Sequence, residues 1–342
     1  MKNFLSFKLI VVVLFFCSCK QNRLDVDVSK TQIDNFDIKR LEKDLFEKSP
    51  EEVVQHTPEM LNQYGDFYVR FVTDIIDDGG IRDSSYAYHL KRFLTDKDML
   101  ETYKQCRNSY SDIFDFKEAM EDAAKRFKYY FPDKHIPLFI TFMSGFNYSV
   151  VYTDSVVGVG LEMYLGKENK LYKMLPPERF PNYMMVRMRK EYMLPDCIKG
   201  WMNAQFETPT NQKNDFLSHI VHSGKIMYLT DALLPDVTDS LKIGYTQKQL
   251  EWCKRNEFNM WSFFIQNKLL YTTDYDEIAK YTSEGPFTSS FDKQSPARVA
   301  DWIGWQIIRA YMNNNPEITL WQLMAEENAQ QILARSKYKP QK

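Results

Sequence analysis

Ile136-Pro137-Leu138-Phe139-Ile140-Thr141-Phe142-Met143 interrupts a chain that otherwise reads as helix. It is followed by Tyr148-Ser149-Val150-Val151-Tyr152, the turn Thr153-Asp154-Ser155, and Val156-Val157-Gly158-Val159-Gly160-Leu161-Glu162-Met163-Tyr164. β-Branched and aromatic residues dominate these runs, and positions 157, 159, 161 and 163 are apolar or small at period two, so the runs predict strands. The reading is a compact antiparallel sheet in the middle of the chain. Gly158 and Gly160 inside a strand predict close approach by another backbone or by a ligand.

Working outward, residues 39 to 130 carry helical spacing in Leu41, Leu45 and Phe46, then in Phe67, Phe71, Val72, Ile75 and Ile76. Ser49-Pro50-Glu51-Glu52 supplies a cap, a first-turn proline and acids suited to the helix dipole. Ser111-Asp112 predicts the start of a helix through Phe116, Met120, Ala123, Ala124 and Phe127. Beyond the sheet, a helix over 182–206 is expected to kink or end at Pro195, and another spans 214–233. Thr246-x-x-Gln249 and Thr319-x-x-Gln322 are capping boxes opening further helices, and Ala297 to Asn314 reads as a helix whose Trp302, Trp305, Ile308 and Tyr311 face the core. The fold class is therefore α+β, mostly helical with a small antiparallel sheet, in one globular domain over 37–342.

The first residues combine a basic start, Met1-Lys2, with the short apolar run Leu9-Ile10-Val11-Val12-Val13-Leu14-Phe15-Phe16 and then Cys17-Ser18-Cys19. The run is shorter than the roughly 20 residues that span a bilayer, and the small Ser18 before Cys19 completes the pattern of an exported lipoprotein. Residues 1–18 are read as the signal peptide, Cys19 as the lipidation site, and the polar stretch 19–36 as a lipidated tether to a membrane. Lys20-Gln21-Asn22-Arg23 is not acidic, which points to the periplasmic side of the cell envelope.

A formal net charge of −2 gives no electrostatic case for nucleic acid. Cys106, Cys197 and Cys253 are widely spaced and form neither a disulfide framework nor a Cys-x-x-Cys pair, so buried free thiols are expected, the alternative being one bridge in an oxidising periplasm. No phosphate-cradling loop, dinucleotide fingerprint or serine nucleophile elbow is present. One stretch has metal-ligand spacing: Asp215-x-x-x-His219-x-x-His222, at i, i+4 and i+7 of a helix. Three consecutive ligands on one straight helix converge poorly on one ion, so the plainer reading is a polar stripe, with no metal and no other cofactor expected.

The chain resembles the GldB family of gliding-motility lipoproteins. The resemblance rests on Phe127-Lys128-Tyr129-Tyr130-Phe131-Pro132-Asp133, on Ser144-Gly145-Phe146-Asn147-Tyr148-Ser149-Val150-Val151, and on Val157 to Gly166. It continues through Gly224 to Pro235, Asp239 to Thr246, Pro286-Phe287-Thr288 and Trp302-Ile303-Gly304-Trp305-Gln306-Ile307-Ile308. It implies a cell-envelope lipoprotein required for gliding, working with other envelope proteins of the motility machinery, and it supplies no catalytic residue. A more distant likeness is to predicted zinc-dependent proteases with a His-Glu-x-x-His helix, which implies a degenerate zincin-like scaffold. Glu191 then stands at the general-base position, Lys190 and Leu194 where the ligand histidines belong, and Ser223-Gly224 in place of a downstream Glu-Gly pair. An ammonium and an isobutyl group cannot ligate zinc in that role. The expectation is a non-catalytic component. The alternatives are an envelope zinc-dependent peptidase or hydrolase using Glu191, Asp215, His219 and His222, and a peptide- or wall-binding module built around Gly158, Gly160 and Glu162.

Overall fold

The computed structural model describes residues 23–76, 79–207 and 214–342. The signal-peptide and lipidation readings at residues 1–22, Cys19 included, lie outside the described residues.

Four short strands form the sheet: β1 (Ile38–Arg40), β2 (Leu138–Phe142), β3 (Val150–Tyr152) and β4 (Val156–Gly160), in spatial order β1-β2-β4-β3. The helices that carry the argument are α1 (Phe114–Tyr130), α2 (Lys190–Gln205), α3 (Phe216–Leu233), α4 (Gln247–Gln266), α5 (Val299–Asn314) and α6 (Leu320–Ala325). Shorter helices fill residues 41–109. The chain is thus mostly helical around a small sheet, as expected, but the sheet is mixed rather than antiparallel. Only β3 and β4 pair antiparallel; β2 runs parallel to both β1 and β4. Alternation along a strand reports which face is buried and carries no information on which strand lies alongside. Here the β3–β4 hairpin turns back so that β4, not β3, meets β2. β1 is only three residues long and leaves no periodic trace of its own.

Period two places the two faces of β2 in two cores. Phe139 joins the larger cluster with Val157, Val159 and Trp201, whereas Ile140 and Phe142 join a smaller one with Leu45, Phe67, Phe71 and Leu90. The sheet is therefore a middle layer between the helices of residues 41–95 and the main helical body. Gly158 and Gly160 do mark close approach, but by this chain itself. A Cβ at Gly158 would fall 2.8 Å from the Phe67 ring, and one at Gly160 would fall 2.3 Å from the Tyr148 carbonyl oxygen. The space considered for a ligand around Gly158, Gly160 and Glu162 is filled.

The capping boxes form at Ser49, Thr246 and Thr319, and Trp302, Trp305, Ile308 and Tyr311 are buried. Cys106, Cys197 and Cys253 are buried free thiols. Two expectations are corrected. The stretch 182–206 is split into Asn182–Met185 and α2, and α2 does not end at Pro195 but continues past it to Gln205. Proline there removes only the bond to the carbonyl of Glu191, an exposed residue in the first turn whose carbonyl is open to solvent. The region read as a tether is also packed from Arg23 onward. Arg23 donates to the carbonyl oxygen of Met312 at 2.8 Å and to that of Ile318, and Leu24 and Val28 are buried.

α3 and α5 cross at two glycines. A Cβ on Gly304 would sit 1.8 Å from the Ile220 carbonyl oxygen, and one on Gly224 would sit 2.2 Å from the Gly304 carbonyl oxygen. Only glycine lets the two backbones touch in this way.

Candidate functional site

The open edge of the sheet borders a groove. On either side of β3 the carbonyl of Ser149 accepts from Gly160 N–H at 2.9 Å and the N–H of Thr153 donates to the Val156 carbonyl at 2.8 Å. Antiparallel alternation then turns the N–H and C=O of Val150 and Tyr152 away from β4, onto the free edge. These residues border a groove of about 430 Å³ whose opposite wall is α2, through Asp196, Lys199, Gly200 and Asn203. Gly200 permits the approach: a Cβ there would meet Tyr152 at 2.9 Å and Val150 at 3.0 Å. Met163, Met184 and Met188 supply an apolar and adaptable lining.

One end of the groove is a chain of charges. The Arg187 guanidinium meets Glu284 at 2.9 Å, Arg298 meets the same carboxylate at 3.1 Å and Asp301 at 2.8 Å, and Asp301 accepts from the Ser223 hydroxyl at 2.7 Å. Burial pushes Glu284 upward, but Arg298 and Arg187 more than offset it and hold its carboxyl below the usual range. Arg298 sits at φ 56°, in the left-handed region that non-glycine residues rarely adopt. The Tyr245 hydroxyl, reaching the carbonyls of Ala297 at 2.8 Å and Arg298 at 2.9 Å, secures that turn. Further along, Asp196 accepts from Tyr164 at 3.1 Å and pairs with Lys199 at 3.0 Å. Among the described residues no histidine or cysteine lines the groove, and the carboxylate beside its Tyr164 hydroxyl is paired with Lys199. Its chemistry suits recognition through peptide groups, methionines and paired charges.

The residues singled out from the sequence are dispersed. Lys190 and Glu191 are exposed on the first turn of α2, Leu194 packs half-buried against the main core, and Ser223 is tied to Asp301. No hydrogen bond or ion pair joins any two of these four, and their donor set does not fit zinc. Asp215 is the N-cap of α3, accepting from Ser218 N–H at 2.9 Å; His219 turns to Asn214 at 2.6 Å. His222 is half-buried, and desolvation, then Lys225 and His219, push its pKa down to about 4. Among the described residues no group of three or more His, Cys, Asp or Glu side chains is gathered as a metal site.

Glu162 is fully buried and serves the loop between β2 and β3. One carboxylate oxygen accepts from Ser144 N–H and hydroxyl, both at 2.6 Å, and from Phe146 N–H at 3.1 Å. Burial raises its pKa despite these donors. A charged cluster not foreseen from spacing lies between α3 and α5: Asp231 accepts from Lys242 at 3.0 Å, Trp305 at 2.8 Å and Arg309 at 2.9 Å, while Arg309 also grips Asp239 with two bonds of 2.9 Å. The signal was present in Tyr228-Leu229-Thr230-Asp231 and Asp239-Ser240-Leu241-Lys242, charges set among apolar residues. The partner Arg309 stands far away in sequence.

No helix among the described residues is long and apolar enough to cross a membrane. No curated protein and no solved structure matches the chain. A family model described as gliding motility protein GldB matches residues 21–340, from the docked N-terminal segment to the last helix. With that match covering nearly the whole length, the chain belongs to the GldB gliding-motility family.

Proposed function

We propose that the chain is a cell-envelope lipoprotein, held by acyl groups on Cys19 and facing the periplasm, that serves gliding as a non-catalytic structural or assembly component of the motility machinery. Family membership over residues 21–340 carries this reading. The side chains at Lys190, Leu194 and Ser223, unable to form a zinc site, support the non-catalytic part. The groove beside β3 suits an extended peptide segment of another envelope protein of that machinery, added to the open edge as a further strand. The competing reading, an envelope zinc-dependent peptidase or hydrolase, places the chemistry on Glu191 with Asp215, His219 and His222.

The test is complementation of a deletion strain. Loss of the gene should abolish gliding. Glu191→Gln at normal abundance should restore it, whereas Cys19→Ala should appear in the soluble fraction and fail to restore it. Normal gliding in the deletion strain would refute the role in motility. Failure of an abundant, folded Glu191→Gln protein would favour the hydrolase.

A further inference from the structure

We infer that the end of the molecule bearing Trp321 and Tyr129 rests on the surface of the bilayer that holds the acyl chains. This inference depends on the lipid anchor at Cys19 proposed above. Cys19 to Arg23 is four residues, which reach at most about 14 Å when fully extended. From Arg23 the chain is fixed. It enters the body at the carbonyls of Met312 and Ile318, between the end of α5 and the start of α6. It then runs along α1 in the opposite direction. Arg23 lies close enough to Tyr130 to act on its phenol electrostatically, the Val26 carbonyl accepts from Arg126 at 3.4 Å, and Asp37 pairs with Lys117 at 2.7 Å. Only the Arg23 end of this strap can therefore approach an acylated Cys19, and the body cannot tumble freely beneath it.

The side chains at that end fit a headgroup region. Trp321 is 52 % exposed and Tyr129 51 %, although both are large aromatics. The Trp321 ring lies 6.2 Å from Phe131, which places both residues at the C-terminal end of α1. Half-buried Lys128 and Lys134 lie at the same helix end with exposed Asp133 between them, their ammonium groups on the Pro132 and Gln205 carbonyls. Amphipathic rings beside lysines are what the membrane–water interface favours. The other five tryptophans are sequestered: Trp201, Trp252, Trp302 and Trp305 are buried and Trp261 is half-buried.

That contrast makes the inference measurable with the full lipidated protein in phosphatidylcholine vesicles, some carrying bromine near the headgroup. Flotation reports the anchor and tryptophan quenching reports the contact. The expected result is that wild type floats and loses up to the share of one tryptophan in six of its emission. Trp321→Phe should float equally, with that loss abolished. A flexible 20-residue Gly/Ser insertion before Arg23 should float with much weaker quenching, because the body is then free to leave the surface. Wild type that floats with no bromine-dependent loss, or a loss unchanged in Trp321→Phe, would overturn the inference and leave the anchor intact. Failure to float would overturn the anchor itself, and the inference with it. Near-ultraviolet circular dichroism confirms that the exposed-site variant is folded.

Discussion

Gly304→Ala should be among the most damaging single methyl additions in this protein, although alanine is the better helix former. In an open helix the change would be worth about 1 kcal/mol in favour of alanine. Here the new Cβ would lie 1.8 Å from the Ile220 carbonyl oxygen and 2.7 Å from its carbon. A carbon–oxygen contact of about 3.3 Å is the near limit, so α3 and α5 must part by about 1.5 Å. The obstacle is backbone in the middle of a helix and cannot swing aside. Parting the helices also loosens Ile220, Val221, Trp305 and Ile308, all buried around the crossing, and a gap of that size forfeits much of their dispersion energy. Overpacking against rigid surroundings costs about 1–3 kcal/mol or more. Taking the upper end, about 3 kcal/mol, and subtracting the helix gain leaves a net loss of about 2 kcal/mol, or a fall of about 3 °C in Tm for a chain of this length. The assay is urea denaturation of the soluble chain from Lys20 onward, with midpoint and slope fitted for each variant. Gly200→Ala provides the contrast, since its Cβ meets side chains of Tyr152 and Val150, and Tyr152 is 46 % exposed and free to yield. That variant should stay within about 1 kcal/mol of wild type. A Gly304→Ala protein within about 0.5 kcal/mol of wild type would refute the backbone-contact argument.

Two further expectations concern buried charge. Asp231→Ala removes the carboxylate paired at 3.0 Å with the buried Lys242 ammonium while Arg309 keeps Asp239, so it should cost about 3–5 kcal/mol; Asp231→Ala together with Lys242→Met should recover part of that loss in the same urea assay. His222, held down to about 4 against 6.5 when unfolded, contributes stability that is complete above the unfolded value and is lost as pH falls from 6.5 towards 4. Wild type should therefore lose about 2 kcal/mol more than His222→Asn between pH 7 and pH 5, and equal slopes in the two proteins would contradict the burial of the imidazole.

The legible parts of the fold were those written locally. Ser49, Thr246 and Thr319 announce helix starts because a cap and its N3 partner are three residues apart. Phe139 to Phe142 and Val156 to Gly160 announce strands because alternation is a nearest-neighbour pattern. What depends on distant partners was not legible. Ile38–Arg40 becomes a strand only because β2 offers it an edge, and Arg23 docks only because the carbonyls of Met312 and Ile318 await it. The same holds at the sites. Asp215, His219 and His222 have helical spacing for a shared face, yet the first is spent on capping and the second on Asn214. The groove charges Arg187, Glu284, Arg298 and Asp301 come from three separate segments, and nothing in their spacing joins them.

The three buried thiols have a consequence for timing. Burial raises the pKa of Cys106, Cys197 and Cys253, so each is starved of the thiolate that attacks oxidants and disulfides. Once the chain has folded, an oxidising compartment can do little to them. Before that, three accessible thiols allow any two to join and leave the third to seek another molecule, and none of these bonds belongs to the native state. Maturation in such a compartment is therefore a race between collapse of the core and thiol oxidation. A folding delay, rather than loss of the final stability, is what would expose this protein to covalent misassembly.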